Sequence, residues 1–363
     1  MAEKQIGFCP ELLICPGETL KEVLDDRNMS RKELAIRTGV TEKHISKVIN
    51  GKASITSEFA AALECALQID AEFWVNLQTN YDIERMECFR SETVTAEEIE
   101  IAKQLEKIRA YAVKLGLITN TPGKNEKVLS LRDFARVSNL KSITQLQHCA
   151  AYRISSHTEI NPYVLFLWQK LCLDLANERK TQIPLDKKKL AASISKIKLL
   201  MHLDINTAVA QLHDILGECG ITFCVVKHFS GAPVQGYIEQ TEAGGLILCL
   251  TIRYAFADIF WFTLFHEIAH ILYDDAKQVY FDYTFENNEA EVRADKFAGD
   301  TLIAPNLYDA FIKNGDFSIQ AVRYLAKVAN VPTFIVVGRL QKEKRIPYSW
   351  HASEKLRYKW TDK

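Results

Sequence analysis

Apolar residues recur at three- and four-residue intervals through most of this chain, and a short central region breaks that rhythm with brief apolar runs. Over residues 16–24, Leu20, Val23 and Leu24 share one helical face. Asn28-Met29-Ser30 interrupts the pattern. Ser30 stands where a cap for a helix over 31–38 is needed, with Glu33 at the capping-box position. Gly39 supplies a turn, Thr41 caps a third helix over 42–49, and Asn50-Gly51 closes it. Helical spacing continues through Ile99, Ala102, Leu105 and Ile108, and predicts further helices over 131–137, 143–155, 162–179 and 185–201. After a helix over 207–217 come three apolar runs at 221–228, 234–239 and 246–252, separated by glycine-bearing turns. They read as three strands of an antiparallel sheet. A largely apolar helix over 257–273 follows, then a second helical pattern from Asn288 to Gly299, and two more helices over 318–329 and 332–342.

The fold class expected is therefore mainly α with a small α+β domain. Three segments follow: an all-α head over residues 1–90, a helical connector over 91–200, and an α+β unit over 201–363 with a short sheet. The connector is the least informative; a sensing or partner-binding role is the expectation there. A chain of 363 residues exceeds one typical core.

Two short helices joined by a glycine turn form a helix-turn-helix arrangement. Charge sharpens this. Net charge is −1, which gives no global attraction to nucleic acid, yet residues 27–52 hold seven basic side chains against Glu33 and Glu42. A solvated charged face would look similar. Joined to the capping and the Ala35, Gly39, Ile45 spacing, however, the basic cluster points to a local phosphate footprint.

The other chemistry lies in the apolar helix after residue 257, in His266-Glu267-Ile268-Ala269-His270. Residues i and i+4 share a helix face, so His266 and His270 can hold one metal ion, and Glu267 is placed to take a proton from metal-bound water. The next helical pattern offers Glu291 as third ligand and Asp295, one turn on, as a partner orienting a ligand histidine. Three protein ligands leave a fourth position for water, which is the catalytic type of zinc site, with one ion per chain. The bland alternative is two hydrogen-bonded core histidines. Arg253, Tyr254 and Tyr273 lie close by in sequence as candidate oxyanion partners.

Nine scattered cysteines, with no C-x-x-C pair, read as small apolar residues in a reducing compartment rather than a disulfide framework. No signal-peptide pattern and no transmembrane-length apolar run occur, so a cytoplasmic protein without membrane contact is expected.

Two family resemblances follow. P-G-E-x-L-K-E-x-L, M-S-x-x-E-L-A-x-x-T-G-V and H-I-S-K-V-I-N-G-K, with the continuation through Phe73, Trp74 and Leu77 as core anchors, resemble the XRE-type helix-turn-helix of the HigA-like antitoxin and VapI branch. The resemblance implies a homodimer on double-stranded operator DNA. By position, Thr41, Glu42, Lys43, His44 and Lys47 would face bases, while Arg31, Ser46 and Asn50 would meet phosphates. F-T-L-F-H-E-I-A-H-I-L, E-V-R-A-D-K-F-A and L-I-A-P resemble the ImmA/IrrE metallopeptidases, with Phe265, Asp295 and Ala304 departing from the usual residues. This second resemblance implies a zincin-like fold in which a strand edge beside the metal, residues 246–252 here, holds an extended peptide. Zinc would sit on His266, His270 and Glu291, with Glu267 catalytic, and the substrate would be a repressor, an antitoxin or a toxin-like partner protein.

The expectation is thus a DNA-binding regulator with a zinc-dependent endopeptidase domain. The alternative is a HigA-like repressor or antitoxin whose metal site is structural or sensory, without turnover.

Overall fold

A computed structural model describes residues 13–146, 151–154, 160–178, 181–274 and 289–359, without the side chains of Cys88 and residues 151–154. Cys9, Cys149, Asn288, Trp360 and the N-terminal stretch read for a signal peptide lie outside the described residues. The chain divides into two compact units, Met1–Ile99 with Pro122–Leu129, and Glu100–Thr121 with Ser130–Lys363.

The first unit is built on five helices: α1 Pro16–Asp26, α2 Arg31–Thr38, α3 Glu42–Ile49, α4 Ser57–Leu67 and α5 Ala71–Phe89. Their ends are set by side chains. Ser30 Oγ accepts from the Glu33 amide at 3.1 Å and Thr41 Oγ1 from the His44 amide at 3.2 Å, each cap being worth roughly 1 kcal/mol. Gly39, at φ +71°, turns α2 into α3 in a conformation that glycine adopts without strain. Gly17 is required for a different reason: a Cβ there would lie 2.0 Å from the Val48 carbonyl oxygen, so α1 passes α3 backbone to backbone. Leu20, Leu34, Ile45, Leu63, Leu67 and Trp74 are fully buried in the resulting core. Phe73, expected beside Trp74 in that core, is 45 % exposed. Adjacent residues on a helix point about 100° apart, so α5 cannot bury both; Phe73 instead meets Trp74 edge-on at 5.2 Å.

Beyond α5 lie α6 Ala96–Gln104, α7 Glu106–Lys114 and α8 Lys124–Ala135, and then the second unit's remaining elements. These are β1 Ala151–Ile154, α9 Pro162–Asn177, α10 Lys187–Leu199, α11 Ile205–Gly217, β2 Ile221–Val226, β3 Val234–Gln240, β4 Leu246–Thr251, α12 Ala257–Leu272, α13 Glu289–Leu302, α14 Pro305–Asn314, α15 Ile319–Ala329 and α16 Thr333–Lys342.

The three expected strands form, but the sheet is mixed. Its order is β1-β3-β4-β2, with β2 parallel to β4 (Cys224 opposite Cys249) and β3 antiparallel to both β4 and β1. Two expectations are corrected here. The helix expected over 143–155 does not form among its described residues: a 3-10 turn at Leu140–Gln145 precedes strand β1, whose Ala151 and Tyr152 pair with Ile238 and Tyr237. Residues 246–252 are not an edge either, because β4 lies between β3 and β2 and is buried along its whole length, as a central strand covered on both faces must be. The core of this unit joins the sheet to α12 through Phe223, Leu248, Trp261, Leu264, Phe265 and Ile268. An all-round apolar helix such as α12 has no solvent face to present, and its burial follows.

Among the described residues, no single helix is long and apolar enough to cross a membrane. The six described cysteines with side chains, Cys15, Cys65, Cys172, Cys219, Cys224 and Cys249, are all free, and four of them are buried. The aromatic tail is anchored by Tyr358, whose hydroxyl accepts from Trp261 Nε1 at 2.9 Å, whereas Tyr348 stays 75 % exposed.

Candidate metal centre and nucleic-acid interface

The one-turn spacing on α12 brings His266 and His270 together with their Nε2 atoms 2.9 Å apart. Glu291, in the first turn of α13, closes the group: Oε2 is 3.2 Å from His266 Nε2 and Oε1 3.2 Å from His270 Nε2. Asp295 Oδ1 lies 2.8 Å from His266 Nδ1. A carboxylate only accepts, so the proton belongs on Nδ1, and the Nε2 lone pair of His266 faces its neighbours. At 2.9 Å the two nitrogens suit either an N–H of His270 donating to the His266 lone pair or a metal cation held by both lone pairs. Ligand atoms about 2.0–2.1 Å from a tetrahedral zinc stand about 3.3–3.4 Å from one another, so these separations need only slight spreading. His266, His270 and Glu291 therefore form a His/His/Glu cluster able to coordinate one metal ion, with His266 buried, His270 half-buried and Glu291 at the solvent side.

Electrostatics agree with this arrangement. Burial pushes the Glu291 carboxyl up, but hydrogen bonds and charge from His266 and His270 outweigh it and hold the group far below the usual carboxylate range. Lys342, from α16, adds a feature that local sequence did not disclose. Its Nζ lies 3.1 Å from Asp295 Oδ2 and 3.8 Å from the centre of the Phe262 ring. It stands 47 residues from Asp295, and no periodic pattern links the two.

Glu267 follows His266 directly on α12. It is 2 % exposed and lies beneath β3 at Gly236, where a Cβ would come within 2.1 Å of its Oε1. Of the candidate oxyanion groups, Arg253 is buried and donates to the Pro233 carbonyl at 2.9 Å, which ties it to the β3 entry. Tyr273 packs edge-on against Phe297.

In the first unit, Arg31, Thr41, Glu42, Lys43, Lys47 and Asn50 are exposed, and Ser46 and His44 are half-buried. Thr41 spends its hydroxyl oxygen on the α3 cap. The His44 ring stands edge-on to Phe59 at 5.3 Å, and Asn50 Nδ2 donates to the Ser46 carbonyl at 2.7 Å. Arg37 is paired with Glu33 at 2.7 Å, so the basic face left for a polyanion is carried by Arg31, Lys32, Lys43, Lys47 and Lys52.

The helix-turn-helix family matches residues 20–74, which span α2, the Gly39 turn and α3. An HTH-type transcriptional regulator of Escherichia coli K12, YddM, is 31 % identical over 72 residues, covering 20 % of this chain and 77 % of the relative. The chain is a member of the helix-turn-helix regulator family. Virulence-associated protein A′ of Dichelobacter nodosus is 36 % identical over 72 residues, or 20 % of this chain and 63 % of that protein. An antidote protein of a plasmid maintenance system from Nostoc punctiforme, of known structure, is 33 % identical, covering 23 % of this chain and 97 % of its own, with a TM-score of 0.20. A score that low says nothing about the rest of the fold. The first unit of this regulator is accordingly a DNA-binding domain of the XRE and HigA-like type.

The same comparisons overturn the endopeptidase expectation. The sequence relatives are a helix-turn-helix transcriptional regulator and a virulence-associated protein, neither of them a metallopeptidase by name, and the ImmA/IrrE resemblance finds no support among them. The strand expected to hold a peptide is not at an edge either: β4 is interior and the outer edge of β3 is taken by β1. The acid expected to act on water, Glu267, is covered by β3.

Proposed function

We propose that this regulator is a HigA-like repressor and antitoxin whose His/His/Glu centre holds one zinc ion in a structural or sensory role. The observation that carries the reading is the kinship of the first unit with a transcriptional regulator over most of that relative's length. In this proposal residues 1–90 bind operator DNA as a homodimer. Bases are faced by Thr41, Glu42, Lys43, His44 and Lys47, and phosphates by Arg31, Ser46 and Asn50. Residues 91–200 serve as the surface for a toxin-like protein partner, and residues 201–363 carry the metal.

His266, His270 and Glu291 would hold the ion and Asp295 would orient His266. Two imidazoles and a carboxylate suit zinc, which contributes a cross-link between α12 and α13. Glu267 then serves as a buried packing partner of β3.

Binding of the purified full chain to duplex DNA from its own upstream region tests this, measured against scrambled duplex at fixed salt, with zinc and with chelator. A preference of at least about a thousandfold for the upstream duplex is expected. A sensory centre shifts that affinity when zinc is removed, whereas a structural one lowers only the thermal transition of the second unit. Equal affinity for both duplexes under both conditions would refute the repressor reading.

A further inference from the structure

Helix α3 buries Ile45, Val48 and Ile49 and turns its opposite face outward. At about 100° per residue, Lys43 and Lys47 lie nearest the centre of that outer face, one turn apart. Glu42 stands beside Lys43 at the first position of the helix. All three are exposed, and none has an ion-pair partner among the described residues. Neighbouring polar groups are engaged inside the domain. Asn50, the one side-chain amide on this stretch, donates Nδ2 to the Ser46 carbonyl at 2.7 Å. Thr41 Oγ1 accepts from the His44 amide, and the His44 ring packs on Phe59. What α3 offers a ligand is therefore two ammonium groups, which only donate, and one carboxylate, which only accepts.

Lys43 and Lys47 alone would suit phosphates as well as bases. Glu42 separates the two. Its plain role is an acid in the first turn of α3, favoured by the helix dipole. On a phosphate backbone, however, that carboxylate would meet only negative charge. The groups on DNA that satisfy it are the amino groups of the major groove, and its usual partner there is cytosine N4. A lysine in the same groove finds its partner in guanine, whose O6 and N7 both accept. Adenine is read by a paired amide, and the amide of Asn50 is turned back onto Ser46. Four residues of helix rise about 6 Å, close to two steps of about 3.4 Å along a DNA strand.

We infer that α3 reads a half-site built on G·C pairs. Lys43 and Lys47 each take the O6 and N7 of a guanine, the two pairs lying no more than two steps apart, and Glu42 takes cytosine N4 beside the Lys43 guanine. A guanine or thymine in place of that cytosine turns an acceptor toward the carboxylate, so Glu42 acts mainly by exclusion. This base preference presupposes the operator binding proposed above.

The test is selection by the full chain, at fixed salt, from a duplex pool with a randomised centre, followed by anisotropy titrations on the enriched duplex. Two G·C pairs within two steps are expected in each half-site, and changing either to A·T should weaken binding about tenfold. Replacing either guanine by 7-deazaguanine, which lacks only the N7 acceptor, should weaken it about fivefold; this arm needs no protein variant. Lys47→Gln should move the preference at one of the two positions from guanine to adenine, since a paired amide matches adenine N6 and N7, and Lys43→Gln should do so at the other. Glu42→Gln should admit other bases at the cytosine position. Folded lysine variants that weaken every duplex equally, with no change of preferred base, would overturn the inference, as would indifference to 7-deazaguanine. Enrichment of a motif made only of A·T pairs would overturn it too while leaving operator binding intact, whereas enrichment of no sequence at all would overturn both.

Discussion

Arg31 offers the sharpest test of how the first unit meets DNA. Five exposed cations, Arg31, Lys32, Lys43, Lys47 and Lys52, have no acidic partner among the described residues, while Arg37 is neutralised by Glu33. Each phosphate contact contributes about 0.9 to the slope of log affinity against log salt, so five such contacts give a slope of at most about −4.5 per protomer. Arg31→Ala should therefore reduce the slope by about 0.9 on any duplex, and weaken binding about fivefold at about 0.15 M salt. Stability should not fall, because a basic residue at the first position of α2 opposes the helix dipole. Removing Glu33 and Arg37 together should leave the slope within about 0.3 of wild type, since that pair offers no free cation. Fluorescence-anisotropy titrations at four or more salt concentrations, with circular dichroism melts alongside, provide the readout. An unchanged slope for Arg31→Ala, or a loss of similar size in the double variant, would refute the assignment of the phosphate footprint.

Gly17→Ala forces a methyl group against the Val48 carbonyl and should cost about 2–3 kcal/mol. The thermal transition of the first unit should drop by roughly 8–20 °C; an unchanged transition would mean that α1 does not press on α3. Asp295→Asn should weaken zinc about 10–100-fold with one ion still bound at saturation, measured by competition with a chromophoric chelator, and retention of wild-type affinity would remove Asp295 from the site. Gly236→Ala drives the buried Glu267 side chain from its place under β3, at about 1–3 kcal/mol. The transition of the second unit should fall while that of the first stays put, and a shift in neither would contradict the packing of β3 on α12.

What the residues determine by themselves is whatever lies within a turn or two of chain. Ser30 with Glu33, Gly39, and Thr41 with His44 are pairs or single positions whose geometry depends on near neighbours, and the helix-turn-helix was legible from them. His266 and His270 are one turn apart on a helix, so their convergence was equally legible; Glu291 and Asp295 sit on a second helix, and pattern alone proposed them. The tertiary structure decided the rest. A strand's place in a sheet is set by partners far away in sequence: Tyr152 opposite Tyr237 turned an expected helix into β1, and Cys224 opposite Cys249 made β2 parallel to β4. Those pairings buried the strand expected at the edge. Lys342 beside Asp295 belongs to the same class, since it depends on α16 packing across α12 and α13. Periodicity records which face of a helix is apolar, but not which distant element will cover it.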